Sequence, residues 1–287
     1  LDPFETMPSF KHSLILSSLK DSYILGFDHW YKRYYSFYHP HDECLKEHMS
    51  TRAIEILKHI YGEGKFSTNY DLHLPVDVED KIKELLNVKY VQLLNSGTAA
   101  VHLMSRYLYN THIHIKNIIV PSNVYVAAWN GFLFDRRYKL IPVDADINTW
   151  CIDTDRLGEL ENTSAILAVH NVSSIVNVPK LKRKYEHVII LEDACEGFLG
   201  KYEDKHVGTE ALCSSISFFG NKSITAGEGG ALITNDKNLY EYAKKLQGQG
   251  QSNIRYVHDD IGYNYRMTNI QTAILYGQSE ILPKIIP

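Results

Sequence analysis

The sequence predicts an α/β fold built on a mostly parallel sheet with both faces covered. Short, nearly continuous apolar runs recur along the chain, and stretches of helical spacing separate most of them. The length of 287 residues suits one large domain, or a large domain joined to a small one.

Taken in order, residues 1–45 are rich in aromatics and histidine ("FDHWYKRYYSFYHPHDE") and have no clear period. They are expected to form an N-terminal segment that packs on the main domain or on a partner subunit. Residues 46–287 are expected to form that main domain. It starts with the helix-like "STRAIEILKHIYG", followed by "VEDKIKELLN" with apolar residues at helical spacing. The expected strands are "YVQLL" (90–94), "NIIVP" (117–121), "KLIPV" (139–143), "AILAVH" (165–170), "HVIIL" (187–191), "SISFF" (215–219) and "ALIT" (231–234). A final helix is expected around "IQTAIL", with Thr268 or Asn269 as its N-cap.

Composition narrows the function classes. A net charge of −4 argues against a general nucleic-acid or membrane binder, which needs a basic surplus. No apolar run approaches the roughly 18 residues that span a bilayer, and "LDPFETMPSFKH" does not read as a signal peptide. Cys44, Cys151, Cys195 and Cys213 are widely spaced without metal-ligand spacing, so free thiols in a cytoplasmic protein are expected, with no metal.

Ligands of such a sheet sit at the carboxyl ends of its strands, which selects three stretches. In "NSGTAAVHL", the first strand runs into Ser96-Gly97-Thr98 and then a helix. This turn either binds a phosphate with free helix N–H groups or simply caps the helix. In "LEDACEGFLG", Asp193 follows a strand, where it either caps a helix or pairs with a protonated heteroaromatic nitrogen. In "SFFGNKSITAGEGG", Lys222 lies between two apolar strands beside a glycine cluster. It is either a surface lysine or a desolvated nucleophilic amine suited to a Schiff base with a carbonyl. A phosphate cradle, a ring-nitrogen carboxylate and such a lysine are the groups that pyridoxal phosphate requires. Their order suits the large domain of an aspartate-aminotransferase-like (fold type I) enzyme.

At this point the chain resembles the pyridoxal-phosphate-dependent nucleotide-sugar aminotransferases of the DegT/DnrJ/EryC1/StrS group. The resemblance covers residues 50 to 282 and rests on "NSGTAAVHL", "PSNVYVAA", "AVHN", "LEDACEGFLG", "SFFGNKSITAGEGGALITND" and "GYNYRMTNIQTAI". Within the group, "SFFGNK…GEGG…QGQG…HDDIGYNYRMTNIQ" is similar to the perosamine and viosamine synthases, which aminate C4 of a nucleotide-linked 4-keto-6-deoxyhexose.

The resemblance implies residue roles. Lys222 would link to the cofactor and shuttle a proton, while Asp193 would keep the pyridine nitrogen protonated. Gly97, Thr98 and Ser217 would bind the phosphate, Tyr125 would stack on the ring, and Glu196 would lie near the cofactor hydroxyl. Asn264 would reach the cofactor phosphate of a partner subunit, which implies a homodimer, with L-glutamate as amino donor and pyridoxamine phosphate as intermediate. His170 matches a histidine near the active site, or else is a packed core histidine. Arg266 pairs with phosphate or braces a buried carboxylate. Tyr125, read from its place after "NIIVPSN", is a cofactor contact or a core tyrosine.

Family chains continue past the "GQSEIL" helix into a small C-terminal domain, so that domain is expected to be shortened or missing here. The glycine that usually follows "VH" is absent from "AVHNVSSIVNV", which makes that loop a place where the site can differ. Two alternatives stand beside C4 amination: a C3-specific aminotransferase and a non-catalytic regulator on the same fold. A dehydratase branch places histidine where Lys222 stands.

Overall fold

The structure, a computed structural model, describes residues 74–171 and 174–280, together with Glu55 and Leu282. The segment expected over residues 1–45 lies outside the described residues. So does "STRAIEILKHIYG", apart from Glu55.

All seven expected strands are present, displaced by two residues at most. In chain order the strands are β1 (Tyr90–Leu94), β2 (Asn117–Pro121), β3 (Lys139–Val143), β4 (Ser164–Val169) and β5 (Ile189–Asp193). The small hairpin β6 (Lys201–Tyr202) and β7 (Lys205–His206) comes next, then β8 (Cys213–Ser217) and β9 (Gly230–Thr234). The large sheet runs β1-β9-β8-β5-β4-β2-β3. Only β9 runs against its neighbours; the other pairings are parallel. The strand around "SISFF" starts and ends two residues earlier than expected. Phe218 keeps one bond to the neighbouring chain segment, its N–H on the Gly229 carbonyl at 2.9 Å, and its ring packs edge-on against Phe198 at 5.9 Å between centroids.

Among the described residues six helices flank the sheet: α1 (Leu74–Leu86), α2 (Gly97–Thr111), α3 (Ala127–Leu133), α4 (Val178–Lys184), α5 (Lys237–Gln247) and α6 (Asn269–Ser279). Alternation along the strands divides the core between the two faces. Leu94, Leu167, Leu191 and Leu232 join α2 and α5 on one face. Leu93, Ile216 and Ile233 meet α1 and α6 on the other, where Ile166, Ala168 and Ile190 meet α4. Each such aliphatic side chain, fully buried, contributes about 1.5–3 kcal/mol. Among the described residues no helix is long and apolar enough to cross a membrane.

Caps set where the helices begin. Ser96 Oγ accepts the Ala99 N–H at 3.1 Å and starts α2 directly after β1. Thr268 caps α6 in a reciprocal box with Gln271, which resolves the choice between Thr268 and Asn269. On α1, the buried Glu79 faces the sheet edge and accepts the Leu93 N–H at 2.9 Å. Burial pushes its carboxyl up from 4.5 to about 7, partly offset by that hydrogen bond.

Candidate active site

A cleft of about 280 Å³ opens at the carboxyl ends of the parallel strands. The ends of β1, β4, β5 and β8 contribute Ser96, His170, Asp193 and Ser217, and the turn before α3 contributes Tyr125. Lys222 and Glu228 come from the β8–β9 connection, residues 218–229. The cleft therefore brings together Gly97, Thr98, Tyr125, His170, Asp193, Glu196, Ser217 and Lys222, and does not take in Asn264 or Arg266.

Glycine makes the cradle possible. A Cβ on Gly97 would come within 2.8 Å of Cys195 Sγ and 3.1 Å of Ser217 Cβ. One on Gly230, at the start of β9, would sit 2.4 Å from the Ser96 carbonyl carbon and 2.5 Å from Gly97 N. The last glycine of "GEGG" thus lets β9 approach the first turn of α2. Since Ser96 already holds the Ala99 N–H, the first-turn amides at the cleft belong to Gly97 and Thr98.

Asp193 is 5% exposed and ends β5 facing the cleft. Its Oδ1 accepts the Cys195 N–H at 3.0 Å and the Ser215 hydroxyl at 2.9 Å, which leaves Oδ2 for a group in the cleft. Ser215 lies directly opposite Asp193 across the β5–β8 pair. Sequence reasoning passed over Ser215, whose one signal is its spacing of two from Ser217 on the same strand face. Cys195 also lines the cleft, where burial, reinforced by Asp193, pushes its thiol up and so favours the protonated form.

Lys222 is less enclosed than its flanking strands suggest: its side chain is 17% exposed, and Nζ lies 3.3 Å from Glu196 Oε1. The connection carrying it is a loop folded on itself, with Lys222 N–H on the Phe219 carbonyl and Ala226 N–H on Phe218. Tyr125 is 73% exposed at the cleft, so it is not a core tyrosine. His170 is 1% exposed, with both ring nitrogens taken by protein partners, Glu192 and the Val176 N–H. Asn171 beside it also lines the cleft, and its amide ties down the carbonyls of Asn123 and Trp150.

Asn264 is exposed on a segment pinned to the end of β1. Asn95 holds that segment through its N–H on the Tyr265 carbonyl and its amide on the Asn264 carbonyl. Arg266 braces no carboxylate among the described residues, contrary to one expectation. Its guanidinium reaches the Asn264 amide oxygen at 3.3 Å, because both side chains stand two apart on one extended segment.

Comparison with known proteins bears on what this cleft is. The model of the DegT/DnrJ/EryC1/StrS aminotransferase family matches residues 49–286. The GDP-perosamine synthase of Escherichia coli O157:H7 is 38% identical over 211 residues, which is 70% of this chain and 56% of that protein. A separate match, to the putative lipopolysaccharide heptosyltransferase 4 of Escherichia coli K12, is 90% identical over 95 residues. It covers 33% of this chain and 27% of that protein. The chain thus spans 27% and 56% of these two relatives' own lengths. Among solved structures, the Helicobacter pylori aminotransferase PseC, involved in the biosynthesis of pseudoaminic acid, superposes with a TM-score of 0.72 at 27% identity. That superposition covers 83% of this chain and 63% of PseC, and it makes the sheet and its helices those of a fold type I aminotransferase. The chain belongs to the DegT/DnrJ/EryC1/StrS aminotransferase family.

Proposed function

We propose that the protein is a pyridoxal-phosphate-dependent aminotransferase that carries the amino group of L-glutamate to C4 of a nucleotide-linked 4-keto-6-deoxyhexose. One observation carries this reading: the Lys222 amine, the Asp193 carboxylate and the first turn of α2 all open into one cleft. The residues present fit the cofactor. Gly97 and Gly230 let the ends of β8 and β9 close on the first turn of α2, and the donors at the cleft there are the Gly97 and Thr98 amides and the Thr98 and Ser217 hydroxyls. The perosamine synthase relatives support a sugar aminated at C4.

In this reading Gly97, Thr98 and Ser217 hold the phosphate, and Tyr125 covers the ring. Bound pyridoxal phosphate supplies an electron sink next to the carbon that carries the migrating amino group. Asp193 Oδ2 holds a proton on the ring nitrogen, while Ser215 and the Cys195 N–H fix the carboxylate through Oδ1. The Lys222 amine moves a proton at the sugar carbon, and Glu196 at 3.3 Å steers it. Asn264, exposed and off its own chain's cleft, reaches the cofactor phosphate of a second copy in a homodimer. The short heptosyltransferase match brings no activity into the reading, since it spans 27% of that protein.

The deciding experiment offers GDP-, dTDP- and UDP-linked 4-keto-6-deoxy sugars with pyridoxal phosphate and L-glutamate, and identifies the product by mass and NMR. A 4-amino-4,6-dideoxy sugar is expected. An amine at C3, or no amine with any of the three, overturns the reading. Lys222→Ala is expected to abolish turnover and the visible absorbance of the cofactor-loaded protein; an unchanged spectrum would remove the lysine from its role.

A further inference from the structure

We infer that Glu192 and His170 form a positioning pair that fixes Asp193 and the turn after it, which rests on reading the cleft as a pyridoxal phosphate site. Strand alternation sends Asp193 to the cleft and its neighbour Glu192 to the opposite face. There Glu192 is 1% exposed, and both carboxylate oxygens are used. Oε1 accepts the Ala211 N–H at 3.0 Å, and Oε2 accepts the Gly208 N–H and lies 3.0 Å from His170 Nε2.

The histidine closes the arrangement. Its Nδ1 accepts the Val176 N–H at 3.2 Å, so the ring proton is assigned to Nε2, which donates to Glu192. Its backbone N–H donates to the Asp193 carbonyl at 3.0 Å. The turn after Asp193 lies directly on it, since a Cβ on Gly197 would come within 2.6 Å of His170 Cβ. That turn carries Glu196, the partner of Lys222. One residue therefore reaches both: the His170 main chain holds the Asp193 carbonyl, and its side chain, fixed by Glu192 and the Val176 N–H, packs on the turn that bears Glu196. A buried polar group whose hydrogen bonds are all satisfied holds its neighbours in a single arrangement. The pair acts through Asp193 and Glu196, because neither ring nitrogen is free to meet a ligand.

The test uses the full chain, wild type, Glu192→Gln and His170→Gln, each titrated with pyridoxal phosphate. Dissociation constant, position of the visible band and melting temperature are read for each, and ¹⁵N NMR assigns the His170 tautomer in the wild type. Weakening on the order of tenfold is expected in both variants, as for other supporting residues, with a displaced band that loss of stability alone would not produce. The NMR is expected to place the proton on Nε2. Variants that fold, bind and absorb like the wild type overturn the inference, as does a proton on Nδ1. If a variant fails to fold, the NMR decides. A wild type with no Lys222-dependent band sinks the cofactor reading and this inference with it. An intact wild-type band beside unchanged variants sinks the inference alone.

Discussion

Behind the cleft His170 and Glu192 meet at 3.0 Å, whereas His102 and Asp135 stand 3.6 Å apart beside α2. Both histidines are buried. The first pair is closed, with backbone N–H groups of Gly208, Ala211 and Val176 supplying the remaining bonds. The second is open. His102 Nδ1 meets the Tyr265 hydroxyl at 2.9 Å, but His102 Nε2, Arg106 Nε and Asp135 Oδ2 are buried without a hydrogen-bond partner among the described residues. Arg106 adds only an ion pair to Asp135 at 3.4 Å. The difference comes from the local backbone. Loops beside β5 have N–H groups to spare, while α2 spends its own along the helix and leaves its side chains to find each other.

The sharpest way to break this comparison is Glu192→Ala. It leaves His170 and two backbone N–H groups unpaired, with an expected loss of about 3–5 kcal/mol by denaturant unfolding. A loss below about 1 kcal/mol would mean the closed pair is not what holds this region.

Glu79 sharpens the comparison with a third buried carboxylate, which has one short hydrogen bond, from Leu93 N–H, and a 3.4 Å contact from Gln92. With its folded value near 7 against 4.5, the folded state keeps a proton that the unfolded chain has released between those pH values. Stability therefore falls as pH rises through that window. Glu79→Gln is expected to flatten this fall between pH 4.5 and about 7 and to gain up to roughly 3 kcal/mol at pH 8. Equal pH dependence in the two proteins would remove Glu79 as its source.

Next in size, Gly197→Ala pushes a methyl into His170 and should cost about 1–3 kcal/mol. Melting curves check it, and a neutral result would show that the turn can move off the histidine.

The smallest effect is expected at the open pair. Burial holds His102 below its ordinary value, with Asp135 pulling partly back. Below the ordinary value near pH 6.5 the unfolded chain takes up a proton that the folded one resists, so stability falls as pH drops through it. His102→Phe should cost under about 1 kcal/mol at pH 8 and soften that acid loss. A larger cost would mean that the Tyr265 contact matters more than its single bond suggests.

Much of this was legible in the chain itself. Strands buried on both faces leave unbroken apolar runs, so "NIIVP" marks its strand to the residue, and "KLIPV" does the same at the more exposed sheet edge. Strand ends then pointed to Ser96, Asp193 and Lys222, because ligands gather where parallel strands finish. The two-residue shift of β8 was not legible, since "SISFF" stays apolar past Ser217, where the regular pairing ends and Phe218 packs on Phe198.

Tertiary structure alone decided which side chains meet: Ser215 on Asp193, the His170 ring on Glu192, Glu196 beside Lys222, and Gly230 against the Ser96 backbone. One strand's sequence carries its own period of two but nothing about which residue stands opposite it. That register is set by pairing with strands far away in the chain, as with Asp193 and Ser215.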